Sequence, residues 1–331
     1  MTKRSTVAVT VSILMLTVTV MLSLAIGAQS LSPIEVLKAV FGGSTPEVQA
    51  IVQSRASRTL IGLVVGICIA LSGAAMQGIT RNPLADPGLL GVDSGAALAV
   101  VIGLTTGIAS SQLSFVLLAL VGASIAAVLV YLISSAGARG PDPVTMVLAG
   151  AAMGAAATGL VAGLLITHQG ALDVYRFWSV GSIGGREVAT VLPATLPFLI
   201  LGALIVFVGA PALNALALGD EMATTLGHNV LRARALIALG AVLLAAGATS
   251  IAGPIAFVGL VIPHFARILR GPDYRSILPL CVILGPVLLL IADIVGRVIS
   301  PPGEVSAGIL TAVVGVPVLI YLVRRPGVVV A

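Results

Sequence analysis

Ten stretches of apolar sequence follow one another along this 331-residue chain, at 7–27, 60–79, 88–108, 113–136, 144–167, 190–213, 235–252, 254–268, 277–296 and 305–323. A helix needs about 20 apolar residues to cross about 30 Å of hydrocarbon. In that medium each backbone polar group must find its partner within the protein, so a stretch of this kind folds as a helix. The spacing predicts an all-α polytopic membrane protein of about ten transmembrane helices, in a single transmembrane domain over 1–331. Composition agrees: 9% of residues are charged, against roughly 25% in soluble domains.

Three stretches need comment. The first follows Lys3 and Arg4, as a signal peptide would, but its apolar run exceeds the roughly 7–15 residues of a signal core. A retained span is expected. Stretches seven and eight share only the 34 residues 235–268, with Gly253-Pro254 between them. One or both are expected to be short or partly re-entrant, which is allowed where other helices shield the backbone.

Ten spans put both termini on one side. With that side cytoplasmic, the inner links hold Lys3, Arg4, Arg81, Arg139, Arg232, Arg234, Arg267, Arg270, Arg275, Arg324 and Arg325; the outer links hold Lys38, Arg55, Arg58, Arg176, Arg186 and Arg297. Eleven against six follows the positive-inside rule. It predicts a multi-pass membrane protein with cytoplasmic termini. Six outer cations are more than the rule favours, so some are expected to have a specific task.

Chemistry-bearing residues are few. The only lysines, Lys3 and Lys38, lack the glycine spacing of a phosphate-binding loop. Any ATP chemistry therefore belongs to another chain, and no catalytic residue is expected here. Cys68 and Cys281 fall inside apolar stretches and are read as core residues. His168, His228 and His264 have no ligand spacing, so no metal site is expected. There is no basic run or basic-aromatic stripe for nucleic acid.

Residues 211–234, PALNALALGDEMATTLGHNVLRAR, interrupt the apolar pattern with ordered polar sequence. Pro211 suits a first helical turn. Gly219 can end that helix, Asp220 can cap a second, and Gly227 can end it. Two capped short helices on the cytoplasmic side predict a docking element for a soluble partner. Between stretches two and three, Asn82-Pro83 and Asp86-Pro87-Gly88 place two turn signals within seven residues, which predicts a shaped cytoplasmic loop. Asp93 and Asp293 lie within or near the ends of spans, where a carboxylate is a functional candidate by default. For Asp293 a pair with Arg297, four residues on, is the simpler expectation. Asp93 is expected to cap or bond locally. Gly62 with Gly66, and Gly150 with Gly154, are read as close-packing faces within the bundle.

The segment SGAAMQGITRNPLADPGLLGVDSG at 72–95 resembles the signature of the FecCD/BtuC-like permease subunits of ABC importers for iron–siderophore complexes and vitamin B12. The resemblance continues in RASRTLIGLVVG at 55–66, LALGDEMATTLG at 216–227, SIAGPIAFVGLVIPHFAR at 250–267, IADIVGR at 291–297 and GVPVLIYLVRR at 315–325. It covers essentially the whole chain and is specific to the family, not to one cargo.

The resemblance implies a type II ABC importer permease fold, working as a dimer with a second permease subunit that is this chain or a paralogue. It implies two ATP-binding subunits below, which hold the ATP and Mg that this chain does not, and an extracytoplasmic substrate-binding protein above. Residues 214–229 then become coupling helices for the ATPase, with Leu218, Gly219, Asp220, Glu221, Ala223, Leu226 and Gly227 at the contact, Asp220 and Glu221 as cap or rim charges. Arg55, Arg58 and Arg297 are implied to meet acidic residues of the binding protein. Thr145 and Met146 fall where the family has its cytoplasmic gate. Tyr175, Phe177 and Trp178 are expected to line or seal the outer mouth, or to anchor at the interface. His264, in IPHFAR, is expected to be structural or interfacial near the ATPase. A ferric siderophore is the expected cargo, with vitamin B12 or haem as alternatives. An ion-coupled secondary transporter is the rival of another class; it would show several intramembrane charges.

Overall fold

The computed structural model describes residues 3–27, 29–135, 143–300 and 303–324. Arg139 and Arg325, counted above among the inner charges, lie outside the described residues. Fourteen α-helices are present among those described: α1 Lys3–Ala25, α2 Pro33–Val40, α3 Pro46–Thr80, α4 Val92–Thr106, α5 Gln112–Ser135, α6 Pro143–Thr167, α7 Gln169–Ser179, α8 Val188–Val208, α9 Ala210–Ala217, α10 Asp220–Thr225, α11 Val230–Ala252, α12 Val258–Arg270, α13 Tyr274–Ile299 and α14 Ala307–Arg324. Each of the ten apolar stretches has its own helix: α1, α3, α4, α5, α6, α8, α11, α12, α13 and α14. Seven of these are long and apolar enough to cross a membrane, while α4, α12 and α14 are shorter.

The centre is built by α3 and α11, in whose apolar stretches 78% of residues are buried, against 17% for α1. Such close centres need small residues. A β-carbon at Gly73 would stand 2.0 Å from the carbonyl oxygen of Gly259, and one at Gly66 would strike the backbone of Pro286. Gly150 meets the carbonyl of Leu89 in the same way. These glycines pack inside the bundle as the sequence predicts. Gly154 does not: its nearest neighbour is the Ser94 hydroxyl, and Ala151, Ala155 and Ala156 around it on α6 are exposed.

The short pair is unequal. The first helix, α11, is full length at 23 residues, whereas α12 has 13 and starts from Phe257 in a left-handed conformation (φ 69°). A phenylalanine there is strained, and its ring lies against Gly315, where a β-carbon would come within 2.2 Å. Within α12, Pro263 has no N–H, so the carbonyl of Gly259 loses its helical donor. Gln77 on α3 supplies one: its Nε2 donates to Gly259 O and Leu260 O, both at 3.2 Å, and its Oε1 accepts from Arg267.

Besides α9 and α10, two helices lie outside the ten. Ser32 and Glu35 form a reciprocal capping box that starts α2. The other, α7, folds Trp178 inward to 3% exposure and leaves Phe177 out at 79%.

Candidate functional site

At one end of the bundle, α9 and α10 project as a short hairpin. Pro211 sits in the first turn of α9, as its fixed φ favours. Gly219 follows at φ 109°, ψ 156°, a region essentially restricted to glycine. The second helix ends at Gly227 (φ 84°): Gly227 N–H donates to Thr224 O and His228 N–H to Ala223 O, a two-bond termination with a left-handed glycine. Asp220 does not cap. It is the first residue of α10, and its carboxylate is shared by Arg81 and Arg234, the latter at 2.9 Å. Those partners sit at the end of α3 and in α11, so tertiary ion pairing takes the carboxylate away from the helix end.

The hairpin is tied down at three points. Arg81, left-handed at the end of α3, donates through Nε to Leu216 O while its Nη2 reaches Asp220. Asn214 Nδ2 donates to Asp273 Oδ1 at 2.6 Å, and Asn214 Oδ1 accepts from Tyr274 N–H at 2.9 Å. Leu213, Leu216 and Ala223 are fully buried beneath. The outer face is apolar: Leu218, Met222 and Leu226 are 66%, 50% and 57% exposed. Leu218 lies at the turn, Met222 on α10 and Leu226 just past its end. Met222 was not among the expected contacts, although its distance of four from each leucine could have found it. Ala223 was expected at the contact and instead anchors the hairpin. Glu221 is exposed at the rim.

The loop after α3 is shaped as expected. Asn82 Oδ1 accepts from Leu84 N–H and Asp86 Oδ1 from Gly88 N–H, both at 2.9 Å, and a 3₁₀ turn over Pro87–Leu90 leads to Gly91 and α4. Asp93 does not bond locally: its Oδ1 accepts from Thr249 Oγ1 at 2.8 Å, across to α11. On α6, Thr145 is exposed and Met146 buried. His264 is 8% exposed on α12, a structural position. Cys68 and Cys281 are free and buried. Among the described residues no cluster of His, Cys, Asp or Glu suits a metal.

At the opposite end the three expected docking arginines turn inward. Arg55 Nη1 donates to Leu24 O and Ala25 O at 3.0 and 2.9 Å, and Nη2 to Gln29 O. Arg297 Nη1 donates to Ser23 O and Ile26 O at 3.0 and 2.7 Å. These carbonyls end α1, where a helix lacks its own donors and cations are favoured. Arg297 also pairs with Asp293 four residues before it, at 3.1 Å, as expected. Arg58 bridges Asp293 at 2.8 Å and Glu304 at 2.6 Å. With Arg55 at 9% and Arg297 at 3% exposure, their guanidinium groups are occupied as braces in this conformation. Arg58, at 15%, keeps an edge at the surface beside Glu304 at 46%. Sequence placed Asp293 with Arg297 but not the partners that come from the end of α1 and from Glu304 before α14.

Beside this knot, the segment after α7 is pinned on two sides. Ser182 N–H donates to Ala252 O and Gly308 N–H to Gly181 O. Trp178 packs edge-on against Phe115 at 5.9 Å, with Tyr175 at 6.3 Å on its other side. The three aromatics thus divide: Trp178 is buried, Tyr175 packs against it and Phe177 is exposed.

Membrane-length helices carry an anchored apolar hairpin at one end and an arginine-braced surface at the other. That is the layout of a polytopic membrane protein with distinct chemistry at its two ends. The chain belongs to the FecCD transport family, whose model matches residues 15–325. It is 42% identical over 315 residues to the ferric enterobactin transport system permease protein FepD of Escherichia coli, covering 95% of this chain and 93% of that one. It is 38% identical to the Fe(3+)-citrate import system permease protein YfmD of Bacillus subtilis, covering 92% and 90%. A solved chain, described as a metal-chelate type ABC transporter in an inward-facing conformation, superposes with a TM-score of 0.81 at 30% identity over 95% of this chain and 97% of its own.

Proposed function

We propose that this chain is the permease subunit of an ATP-driven importer of ferric siderophores in a bacterial inner membrane, with both termini cytoplasmic. The observation that carries the coupling role is the exposure of Leu218, Met222 and Leu226 on an otherwise anchored hairpin. Three large apolar side chains on a solvent-facing element suit the groove of a soluble partner. An ATP-binding subunit fits, because the sequence has no phosphate-binding loop of its own. ATP and Mg belong to a pair of such subunits. Their closure would push α9–α10, and the ties through Arg81 and Asn214 would pass the motion to α3 and α13.

The relatives named for ferric enterobactin and ferric citrate support an iron chelate over vitamin B12 or haem. A second permease subunit would cover the small-residue face of α6, exposed in the single chain at Ala151, Ala155 and Ala156. An extracytoplasmic binding protein would dock on the arginine-braced end, with Arg58 at the contact and Arg55 and Arg297 holding the helix ends beneath it. Thr145 and Met146 stand near the hairpin end of α6, suited to an inner gate.

The test is ATPase stimulation in proteoliposomes holding the assembled transporter, with the binding protein loaded with candidate chelates. Stimulation by a ferric siderophore is expected. Clear stimulation by cobalamin and none by any ferric chelate would overturn the cargo.

A further inference from the structure

The arginine-braced end holds a cavity of about 640 Å³ between the α4–α5 turn, α7 and the segment 182–186. Its wall includes Gln112, Phe115, Phe177, Trp178, Ser182 and Arg186. Two buried nitrogen donors in that wall have no acceptor within the described residues: Trp178 Nε1 and Arg186 Nε. Buried N–H groups are nearly always paired, so two orphans on one cavity call for an explanation. Burial lowers the pKa of Arg186, and no carboxylate offsets it. The three arginines of the neighbouring knot have partners: Arg55 has carbonyls, and Arg58 and Arg297 have Asp293. An uncompensated guanidinium inside a low-dielectric wall is costly unless an anion meets it.

Resting on the reading of this chain as a siderophore permease, we infer that this cavity is a receiving site for an anionic, oxygen-rich ferric chelate with aromatic arms. Arg186 supplies the charge and a planar fork suited to paired oxygens. The Trp178 N–H and the Ser182 and Gln112 side chains supply neutral polar contacts. Phe177 offers a flat exposed face on which an aromatic arm can stack. A tris-catecholate chelate, which is trianionic, has both features. A tris-hydroxamate chelate is neutral and lacks aromatic arms, so the site favours the first class. A phosphate-bearing lipid headgroup shares the anionic oxygens but has no ring for Phe177.

Trp178 is the only tryptophan of the chain, so its fluorescence reports this cavity directly. The probe is gallium(III) in a tripodal tris-catecholate, titrated into the full-length chain in maltoside micelles, with free N-acetyltryptophanamide to correct for absorption. The neutral gallium tris-hydroxamate is titrated in parallel. A saturable emission change is expected with the catecholate, at an apparent Kd at least about tenfold lower than for the hydroxamate. Arg186→Gln should weaken catecholate binding by about tenfold or more, the scale of a lost charged hydrogen bond, and Arg186→Lys should recover part of it. Equal affinity for both chelates, or no emission change, overturns the proposal on the wild-type chain alone, without relying on a variant's folding. So does phosphatidylglycerol, if adding it reproduces the signal and blocks the catecholate, which would make this a headgroup site. ATPase stimulation in the assembled transporter separates the two readings. Stimulation by ferric chelates with no preference in the cavity leaves the permease function standing and removes only the receiving site.

Discussion

Asn214 on α9 and Asp273, the N-cap of α13, hold each other in a two-way clamp: the Asn214 amide donates to Asp273 Oδ1 at 2.6 Å, and its carbonyl accepts from the next backbone N–H, Tyr274, at 2.9 Å. The clamp joins the hairpin to a single helix of 26 residues, α13. At its far end the same helix carries Asp293 and Arg297. One rod thus has the hairpin at one end and the arginine knot at the other. A push on the hairpin need not pass through the core side chain by side chain; it can tilt α13.

Asn214→Ala removes both bonds of the clamp, about 1–2 kcal/mol of local interaction. Transport per ATP hydrolysed in proteoliposomes should fall several-fold while membrane insertion is unchanged. Asn214→Asp sets a carboxylate against Asp273 and should be worse than alanine. A wild-type coupling ratio in the aspartate variant would show that the clamp does not transmit.

Asp273 also fixes the pH range in which the clamp works. The Asn214 amide, then the Arg275 N–H, hold its carboxyl below the usual carboxylate range. A depressed folded pKa means the contribution is fully present above the unfolded value, about 3.9, and is lost as pH falls through the lower folded value. Hydrogen exchange at Tyr274, corrected for intrinsic rate, should stay protected from pH 8 to 5 and open only below about pH 4. Loss of protection between pH 7 and 5.5 would contradict this assignment.

Gly219 sets the angle between α9 and α10. Proline fixes φ near −65° and has no N–H, whereas Gly219 stands at φ 109° and donates to Leu216 O at 3.2 Å. Gly219→Pro should abolish transport and leave insertion intact. Gly219→Ala should cost about 1–3 kcal/mol of local strain and reduce transport in part. Full chelate uptake by the proline variant would mean the hairpin is not the transmission.

The ten helices were legible because a membrane imposes a length, and apolar runs of that length are local in sequence. The hairpin was legible for the same kind of reason: Pro211, Gly219 and Gly227 act on their own backbone. What sequence could not show is pairing at a distance. Asp220 has the look of a helix cap, yet Arg81 and Arg234 claim it. Arg55 and Arg297 have the look of surface cations, yet the carbonyl end of α1 claims them. Gln77 carries no motif at all; its task follows from Pro263 on another helix. In each case the partner's identity depends on packing, and packing of small apolar residues leaves no periodic signal.

The arginine knot gives the sharpest contrast between brace and contact. Asp293 is 1% exposed and pairs with both Arg58 and Arg297. Breaking a buried pair by removing one partner typically costs about 3–5 kcal/mol, because the other charge stays buried. Asp293→Asn should therefore lower the melting temperature strongly, and Arg297→Glu should do the same while releasing the end of α1. Glu304 is 46% exposed, so Glu304→Gln should change stability by no more than about 1 kcal/mol. That substitution frees Arg58 from one carboxylate, leaving its surface edge open to an acidic partner. Affinity for the binding protein at low salt should then rise or hold in Glu304→Gln and fall in Arg58→Gln, with both variants folded. If Arg297→Glu instead weakens docking while melting like wild type, Arg297 is a contact residue after all, and the brace is the wrong account of it.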